Sequence, residues 1–413
     1  MNNKDLSIIR DLAKRTAELA ALPIQEEKRR LWRGLNNKKP ERPMIMVDQV
    51  CWHEMNVNDE LTLLCQDEEA RGWERHFRTI LYKWNHFPVD SVVENYIPVY
   101  RVMSGGLDLR AREETLELDS ANDVVSHKFE NQIKTFDDLE KIKFSDVVYN
   151  EKETMKQYEH MQEMFGGIMD LRLEGNGYSQ GYLTFWDPIA SILSIEGFLD
   201  TIIDNPDLMH AVIKRVVDGY MTTLDQMEAL NLYTNPQPLI HCTGAWNDEL
   251  PQTIAKPGEK RTTKDMWMFS MAQSLSTVSP AMFNEFEIEY SIPLCERFGL
   301  VYYGCCEPLH DRMNYVKRLP NLRKVSMSPW ANKLRGAEEI GKDYVYSCKP
   351  NPAFIAVSSF DEDLIRKDLI ETKQICQQFG CPLEIILKDV STVDYKPERV
   401  WRWAEIAMEV ACS

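Results

Sequence analysis

The sequence of 413 residues contains no long hydrophobic run: nowhere do about eighteen apolar residues follow one another, the length that a membrane-spanning helix needs. Its first segment, MNNKDLSIIRDLAKRTAELAAL, also lacks the continuous apolar stretch of a signal peptide. These two absences argue against a membrane protein and against secretion. We therefore expect a soluble, cytoplasmic protein.

Cysteine pairs and positive charge are scarce as well. The ten cysteines are too sparse for a disulfide framework and none belongs to a C-x-x-C pair, so we expect reduced thiols. The 48 lysines and arginines stand against 65 aspartates and glutamates, which gives a net charge of −17. This excess of negative charge argues against nucleic acid or an anionic membrane as a partner. Nucleotide fingerprints of the forms G-x-G-x-x-G and G-x-x-x-x-G-K-[ST] are also absent.

Apolar runs typical of buried strands alternate with helical patterns along most of the chain. The strand candidates are 43–47 (PMIMV), 168–173 (IMDLRL), 182–186 (YLTFW), 238–242 (PLIHC), 299–303 (GLVYY), 321–327 (NLRKVSM), 343–347 (DYVYS) and 383–387 (LEIIL). The helix candidates are 198–229, 282–297, 308–318, 332–340, 361–379 and 396–411. Such alternation predicts parallel strands joined by helical crossovers, and we favour a (β/α) barrel over an open sheet.

The chain divides into two parts on these patterns. Residues 1–40 are predicted to form an N-terminal helical extension, because Leu6, Ile9 and Leu12 recur near helical spacing. Residues 41–413 are predicted to form the barrel, with long early insertions between residues 50 and 165. The segment 256–267 (KPGEKRTTKDMW) is interpreted as a polar excursion on a later loop.

Active sites of such barrels lie at the carboxyl ends of the strands, so residues that directly follow strands are the candidates. Three ionisable residues are predicted to be catalytic: Asp48, His241 and Glu307. Four further residues are predicted to bind substrate: Asn176 and Tyr178 by hydrogen bonds, and Trp186 and Trp330 by contact with a flat apolar group. The structural alternatives are a loop-capping Asp48, a His241 bonded to backbone, a Glu307 supporting a helix N-terminus, and aromatic side chains in the core.

The stretch YYGCCEPLHDRM (302–313) contains the strongest candidates for a metal site. Neighbouring side chains of a regular strand face opposite sides, so one of Cys305 and Cys306 is expected to be a packing residue. Cys306 as thiolate, Glu307 as oxygen donor and His241 from another strand end form the predicted metal set. Sulfur, nitrogen and oxygen donors of this kind are typical of zinc.

Residues 174–221 combine a glycine-rich strand end (EGNGYSQG), a helix ending in Glu-Gly and a second helix that begins NPDLMH. This stretch resembles the uroporphyrinogen decarboxylase superfamily. Further matches lie in SPAMFNEFEIEYSIPLCERFG (279–299) and KDVSTVDYKPERVWRWAEI (388–406), and the resemblance covers most of residues 40–413. It implies a (β/α)8 TIM barrel with a pocket at the carboxyl ends of the strands.

The branches of this superfamily differ in the residues that follow the strands. The decarboxylase binds carboxylates with an R-Q-A-G-R motif, whereas this chain has Asp48 at that place, a charge of the wrong sign. The methyltransferase branch holds zinc with an H-x-C pair and a late cysteine. Cys306 matches the first cysteine, but Gly304 replaces the histidine and KDVST (388–392) replaces the late cysteine. The resemblance therefore favours a methyltransferase that demethylates its substrate.

The resemblance implies transfer of a methyl group from a small methylated compound, such as a methoxyaromatic, to a corrinoid protein. The chain has no D-x-H-x-x-G corrinoid motif, so the corrinoid is expected on a separate protein. A lyase acting on a small carboxylate and a non-catalytic barrel relative are the alternatives. A homodimer is compatible with the sequence, which does not fix the oligomeric state.

Overall fold

Strands and helices alternate along the protein, which a computed structural model describes over residues 1–116, 125–175 and 181–413. The strands in these ranges are β1 (Met44–Val47), β2 (Tyr96–Tyr100), β3 (Met103–Asp108), β4 (Glu113–Leu116), β5 (Ser126–Phe129), β6 (Lys143–Tyr149), β7 (Asp170–Glu174), β8 (Leu239–Ile240), β9 (Thr243–Gly244), β10 (Trp267–Ser270), β11 (Leu300–Tyr303), β12 (Leu322–Met327), β13 (Val345–Cys348) and β14 (Leu383–Leu387). The α-helices are α1 (Asn3–Ala20), α2 (Pro23–Asn36), α3 (Glu68–His86), α4 (Glu151–Phe165), α5 (Trp186–Leu193), α6 (Ile195–Asp204), α7 (Pro206–Ala229), α8 (Pro280–Phe283), α9 (Glu289–Arg297), α10 (Met313–Val316), α11 (Lys333–Ile340), α12 (Ala353–Ala356), α13 (Glu362–Phe379) and α14 (Glu398–Cys412).

The central sheet has six strands in the order β1-β14-β13-β12-β11-β10, and every neighbouring pair is parallel. Every residue of these strands is buried, so their sequences are mainly apolar and show little alternation between apolar and polar residues. The polar exceptions, such as Lys324 and Glu384, are buried as well. Helical crossovers connect the later strands, as parallel pairing requires. The mixed α/β architecture with a mainly parallel sheet is therefore confirmed.

A closed barrel is not found among the described residues. Strands β2 and β7 pair with each other in parallel but form a separate two-stranded sheet. Beside β10 at one edge of the main sheet, a single bridge joins Tyr182 to Phe269. Three antiparallel pairs, β3 with β6, β4 with β5, and β8 with β9, account for the other strands.

Most of the predicted strands are confirmed, and three segments needed correction. The run 182–186 is not a strand, because only Tyr182 makes a bridge and Trp186 begins α5. The run 238–242 contains only the two-residue strand β8, paired antiparallel rather than parallel. The predicted excursion 256–267 ends inside strand β10, which begins at Trp267.

The predicted helices are confirmed with one large difference in length. The helix expected over 308–318 is reduced to the single turn of α10. The 282–297 helix is interrupted by a π-helical segment, Asn284–Ile288, between α8 and α9. Helices α1 and α2 fill the predicted N-terminal helical segment, and none of the described helices is long and apolar enough to cross a membrane.

Helix α2 matters for the site because it carries Trp32 into the interior. The sequence begins this helix with Pro23, which suits the first turn. Trp32 is fully buried in a cluster with Met44, Met46 and Ile386, and its indole N–H donates to the carbonyl of Asp90 at 2.9 Å. The N-terminal helices therefore close one part of the core beside β1.

Candidate active site

The carboxyl ends of three parallel strands bring polar residues together. Asp48 follows β1, Cys305 lies two residues beyond β11, and Lys388 follows β14. The Asp48 N–H donates to the carbonyl of Leu387 at 2.9 Å, so the parallel pairing of β1 and β14 continues to the point where both strands end. These polar residues thus lie at the carboxyl edge of the sheet, where the active sites of parallel-sheet enzymes are found.

His241 and Cys242 form the tight turn of the hairpin between β8 and β9. Both have positive φ, +39° for His241 and +65° for Cys242, a conformation that Asn and Gly adopt far more readily in two-residue turns. Such strain costs about 1–3 kcal/mol per residue and is found where surrounding contacts enforce it. The Tyr182 hydroxyl accepts the His241 N–H at 2.8 Å, and the imidazole stacks on Phe269 with a centroid distance of 3.8 Å.

The backbone at Gly304 decides how the two neighbouring cysteines are placed. Its φ is +94°, and a Cβ there would lie 2.5 Å from Cδ1 of Leu309, so neither the conformation nor the space admits the histidine of the family pattern. The strand has already ended at this point. As a result strand alternation no longer separates Cys305 and Cys306, and their Sγ atoms lie 3.5 Å apart. Cys305 is buried in a core cluster, as expected of one of the two, and Cys306 packs against that cluster.

Lys388 lies at the centre of this group. Its Nζ is 3.1 Å from Sγ of Cys305 and 3.4 Å from Nε2 of His241, and it forms an ion pair with Asp389 at 3.3 Å. The hydrogen bond from Cys306 and the neighbouring charge of Lys388 lower the pKa of Cys305 well below its ordinary value. The same hydrogen bond raises the pKa of Cys306, so the shared proton stays there. Cys305 is therefore a thiolate.

Burial acts on the other groups of the cluster in different directions. It lowers the pKa of His241, which is consequently a neutral imidazole at neutral pH. Burial alone would also lower the pKa of Lys388, but the charges of Cys305 and Asp389 outweigh it and raise that pKa. Lys388 is therefore an ammonium group beside a thiolate.

Asp48, the first predicted catalytic residue, stands beside Cys242 and Lys83. Burial would raise the pKa of Asp48, but Lys83, whose Nζ lies 3.3 Å from Oδ1, and the Cys242 thiol lower it below its ordinary value. Asp48 is thus a carboxylate that can accept hydrogen bonds. Burial and the charge of Asp48 raise the pKa of Cys242 to about 12, so this thiol stays protonated.

Glu307, predicted to be catalytic and a metal ligand, is a fully buried structural residue. One carboxylate oxygen accepts the backbone N–H of Ala272 and the other accepts that of Cys305, each at 2.9 Å. These bonds join the segments that follow β10 and β11. This is the structural alternative for Glu307, a carboxylate that supports the local backbone, and a catalytic or metal-binding role for it stays a prediction.

A cavity of about 780 Å³ adjoins the cluster. Its apolar wall comes mainly from the helices packed beside β1 and includes Ile24, Leu31, Ile80, Trp84, Phe87 and Met408. Its polar side includes Asp48, Gln49, Lys83, Tyr182, His241 and Cys242. Of the predicted catalytic residues, the structure therefore brings Asp48 and His241 to one cavity.

The four residues predicted to bind substrate do not line this cavity together. Trp186 is fully buried between Phe185 and Phe198 in the main core, so the prediction of substrate contact is wrong for this residue. Trp330 is 70 % exposed on the segment after β12 and does not line the cavity. Asn176 and Tyr178 lie outside the described residues.

The donor set does not fit the zinc site that the sequence predicted. Cys306 lies against Cys305 and Asp389, His241 faces Lys388, and Glu307 is held by backbone. Within residues 1–116, 125–175 and 181–413, no group of three His, Cys, Asp or Glu side chains is arranged to hold a metal ion.

Sequence reasoning missed Lys388 and underrated Cys305. The signal for Lys388 was its position as the first residue after the predicted strand 383–387, where its long side chain reaches across to β11. Strand alternation makes one of the two neighbouring cysteines a packing residue, and the sequence pattern assigns the functional role to Cys306. The positive φ of Gly304 depends on Leu309 and Ser326, which a local pattern does not reveal.

Comparisons with known proteins give one structural likeness. No family model matches the chain, and no curated protein matches it. A solved structure described as a methyltransferase from Methanosarcina mazei is similar at a TM-score of 0.49 and 10% sequence identity, over 92% of this chain and 97% of that one. A likeness at this level carries no functional argument, and the predicted superfamily stays a prediction.

Proposed function

We propose that the chain is an enzyme that removes a methyl group from a small methylated compound, such as a methoxyaromatic, and passes it to a corrinoid on a separate protein. The observation that carries this proposal is the placement of His241 and Asp48 on the polar side of a largely apolar cavity, with Lys388 in contact with His241. The apolar wall, with Trp84 and Phe87, offers contact to an aromatic body.

Removal of a methyl group from an ether is slow because the departing oxygen is a poor leaving group. In the proposed reaction the methyl carbon–oxygen bond breaks, the electron pair stays on oxygen, and that oxygen takes the N–H proton of the neutral His241 imidazole. In the same step Lys388 passes a proton to Nε2 of the imidazole across their contact at 3.4 Å, so His241 stays neutral and Lys388 becomes an amine. Asp48 accepts a hydrogen bond from a hydroxyl or amine of the substrate, and the corrinoid supplies the nucleophile when its carrier docks.

Methylation of reduced cobalamin in solution tests this proposal. The chain is mixed with the reduced cobalamin and a panel of methoxyaromatic and methylamine compounds, and the corrinoid absorption spectrum is followed. We expect methylation with wild type, a loss of about 100-fold or more with His241→Ala, and a smaller loss with Asp48→Asn. His160→Ala, an exposed histidine paired with Glu69, is the matched control. No methylation by wild type with any donor would refute the proposal.

A lyase acting on a small carboxylate is the second candidate, and Lys28 is the observation that favours it. This half-buried lysine lines the same cavity and donates to the carbonyl of Ser91 at 3.0 Å rather than to a carboxylate. Its ammonium lies over the Trp84 ring, 5.2 Å from the centroid, and would offer a positive charge to a substrate carboxylate in this cavity. Release of CO2 from small carboxylates without corrinoid methylation would support the lyase. Absence of both activities would support a non-catalytic relative.

We also infer that the parallel sheet belongs to a closed (β/α)8 barrel. The parallel pair β2–β7 supplies the two strands that the six-stranded sheet needs for such a closure. Both edges of the sheet are covered: Asp90 donates its N–H to the carbonyl of Ile45 at 2.9 Å, and Phe269 donates to that of Gly181 at 2.8 Å. An experimental structure that left β1 and β2 on unrelated layers would contradict this inference.

A further inference from the structure

The ammonium of Lys388 is surrounded by one sulfur, one nitrogen and one oxygen. These are Sγ of Cys305 at 3.1 Å, Nε2 of His241 at 3.4 Å and Oδ2 of Asp389 at 3.3 Å. An ammonium has three N–H donors and no acceptor, so each neighbour takes one hydrogen. The Lys388 side chain is only 5% exposed, so water does not compete strongly for these bonds.

Cysteine, histidine and aspartate are also the side chains that bind zinc in proteins. Here they are spaced for hydrogen bonds to an ammonium, since a zinc ion would need bonds of about 2.0–2.3 Å. The three residues come from three places in the chain: the end of β11, the turn between β8 and β9, and the segment after β14. Metal-binding side chains thus converge on a lysine at this place in the fold.

Cys305 and His241 make further contacts that do not involve Lys388. The Cys305 N–H donates to Glu307 at 2.9 Å, and the Cys305 carbonyl accepts the hydroxyl of Ser326 at 3.0 Å. Phe269 stacks on the imidazole of His241. The positions of two of the three neighbours of Lys388 are therefore fixed by contacts that do not involve the lysine.

We propose that the ammonium of Lys388 is the resident cation of this site, held by Cys305, His241 and Asp389 as a metal ion would be, so that the site works without a bound metal. The protonation states fit this arrangement, with a thiolate at Cys305 and a neutral imidazole at His241. The identity of the cation does not depend on the reaction. Its catalytic consequence, that Lys388 feeds protons to His241, rests on the proposed methyl transfer.

Removal of the lysine tests the proposal directly. In Lys388→Ala the three donors lose their cation, and each must move inward by about 1 Å to reach metal-bonding distance. With the space of the ammonium vacated, we expect that movement and the binding of about one Co²⁺ or Zn²⁺ per chain after dialysis. Bound Co²⁺ should show a thiolate-to-cobalt charge-transfer band, which adding Cys305→Ser to the variant removes. Wild type and Lys349→Ala should bind no stoichiometric metal, because Lys349 is a buried lysine that bonds Tyr302 and Ser347 instead.

Two results would overturn the proposal. One is stoichiometric zinc in wild type purified without chelator, lost on Cys305→Ser. The other is a folded Lys388→Ala, judged by circular dichroism, that binds neither ion. If Lys388→Ala does not fold, Lys388→Met takes its place. The reference is the ultraviolet thiolate absorbance of wild type that Cys305→Ser removes. We expect Lys388→Met to lack this absorbance, and its persistence in that variant would contradict the proposal. Failure of corrinoid methylation alone would refute the proposed function and leave these metal results standing.

Discussion

Lys324 and Glu384 form an ion pair inside the sheet, with Nζ and Oε2 2.7 Å apart and both side chains fully buried. The Thr243 hydroxyl donates to the same carboxylate oxygen at 2.7 Å, and Lys324 donates to the carbonyl of Gly244 at 3.2 Å. These bonds tie the hairpin that carries His241 to β12 and β14. Burial would raise the pKa of Glu384, but Lys324 and Lys349 lower it overall, so the carboxylate stays ionised.

Breaking this pair on one side is expected to destabilise the protein strongly. Glu384→Gln leaves the Lys324 ammonium buried without a counter-charge, which costs about 3–5 kcal/mol of unfolding free energy. Urea denaturation measures this loss. The double variant Lys324→Met with Glu384→Leu removes both charges and should recover most of it. A single variant no less stable than the double variant would contradict the prediction.

Glu307 is expected to act on stability through the two backbone N–H groups that it accepts. In Glu307→Gln one carboxylate oxygen becomes an NH2 group, which faces the N–H of Ala272 or Cys305 and leaves that donor unsatisfied. The expected cost is about 1–3 kcal/mol in urea unfolding. Glu338→Gln, the same change on an exposed face of α11, should stay within about 0.5 kcal/mol of wild type. Equal effects of the two substitutions would show that Glu307 is not a structural acceptor.

Local sequence patterns were sufficient for the strands whose faces are both buried. LEIIL and GLVYY are mainly apolar runs because β14 and β11 are buried on both faces, and this requirement is visible in a window of five residues, although Glu384 interrupts the first run. The same patterns located Asp48 and His241 near strand ends. They could not show whether the strands close into a barrel, because closure depends on contacts between distant segments such as β1 and β2.

The parts of the site that sequence did not predict depend on such distant contacts. The apolar pattern places Trp186 at a strand end, but Trp186 is the first residue of α5 and packs against Phe198 in the core. PLIHC looked like a strand, but Tyr182 stabilises a turn at His241. Lys388 contacts the thiol of Cys305, which lies 83 residues earlier in the chain, and no local pattern shows that contact.

Gly304 is predicted to tolerate no side chain. Gly304→Ala would hold alanine at a φ of +94° with its Cβ 2.5 Å from Leu309, so backbone strain and a steric clash add together. Gly341→Ala isolates the strain, because φ there is +51° and no atom lies within 4 Å of the added Cβ. Strain alone costs about 1–3 kcal/mol, and the Gly304 variant should lose clearly more in thermal or urea unfolding. Equal losses would mean that Leu309 moves aside freely.

Burial of Glu287 is predicted to make the free energy of unfolding depend on pH. The residue is fully buried in the π-helical segment, and its Oε1 accepts hydrogen bonds from Ser291 at 2.6 Å and Tyr303 at 2.9 Å. Burial raises its pKa from an ordinary 4.5 to about 8 although both hydrogen bonds act in the opposite direction. The folded state therefore keeps a proton that the unfolded chain releases.

The sign of the effect follows from linkage. The stability that the protonated Glu287 contributes is fully present below pH 4.5 and is lost as pH rises toward 8, at up to about 1.4 kcal/mol per pH unit. Glu287→Gln keeps an oxygen for Ser291 and Tyr303 but cannot ionise, so its stability relative to wild type should increase with pH across this window, by a few kcal/mol in all. Glu285→Gln, an exposed neighbour paired with His210, should instead follow wild type at every pH. Urea denaturation at several pH values measures both differences, and parallel curves for wild type and Glu287→Gln would show that Glu287 does not carry the proton.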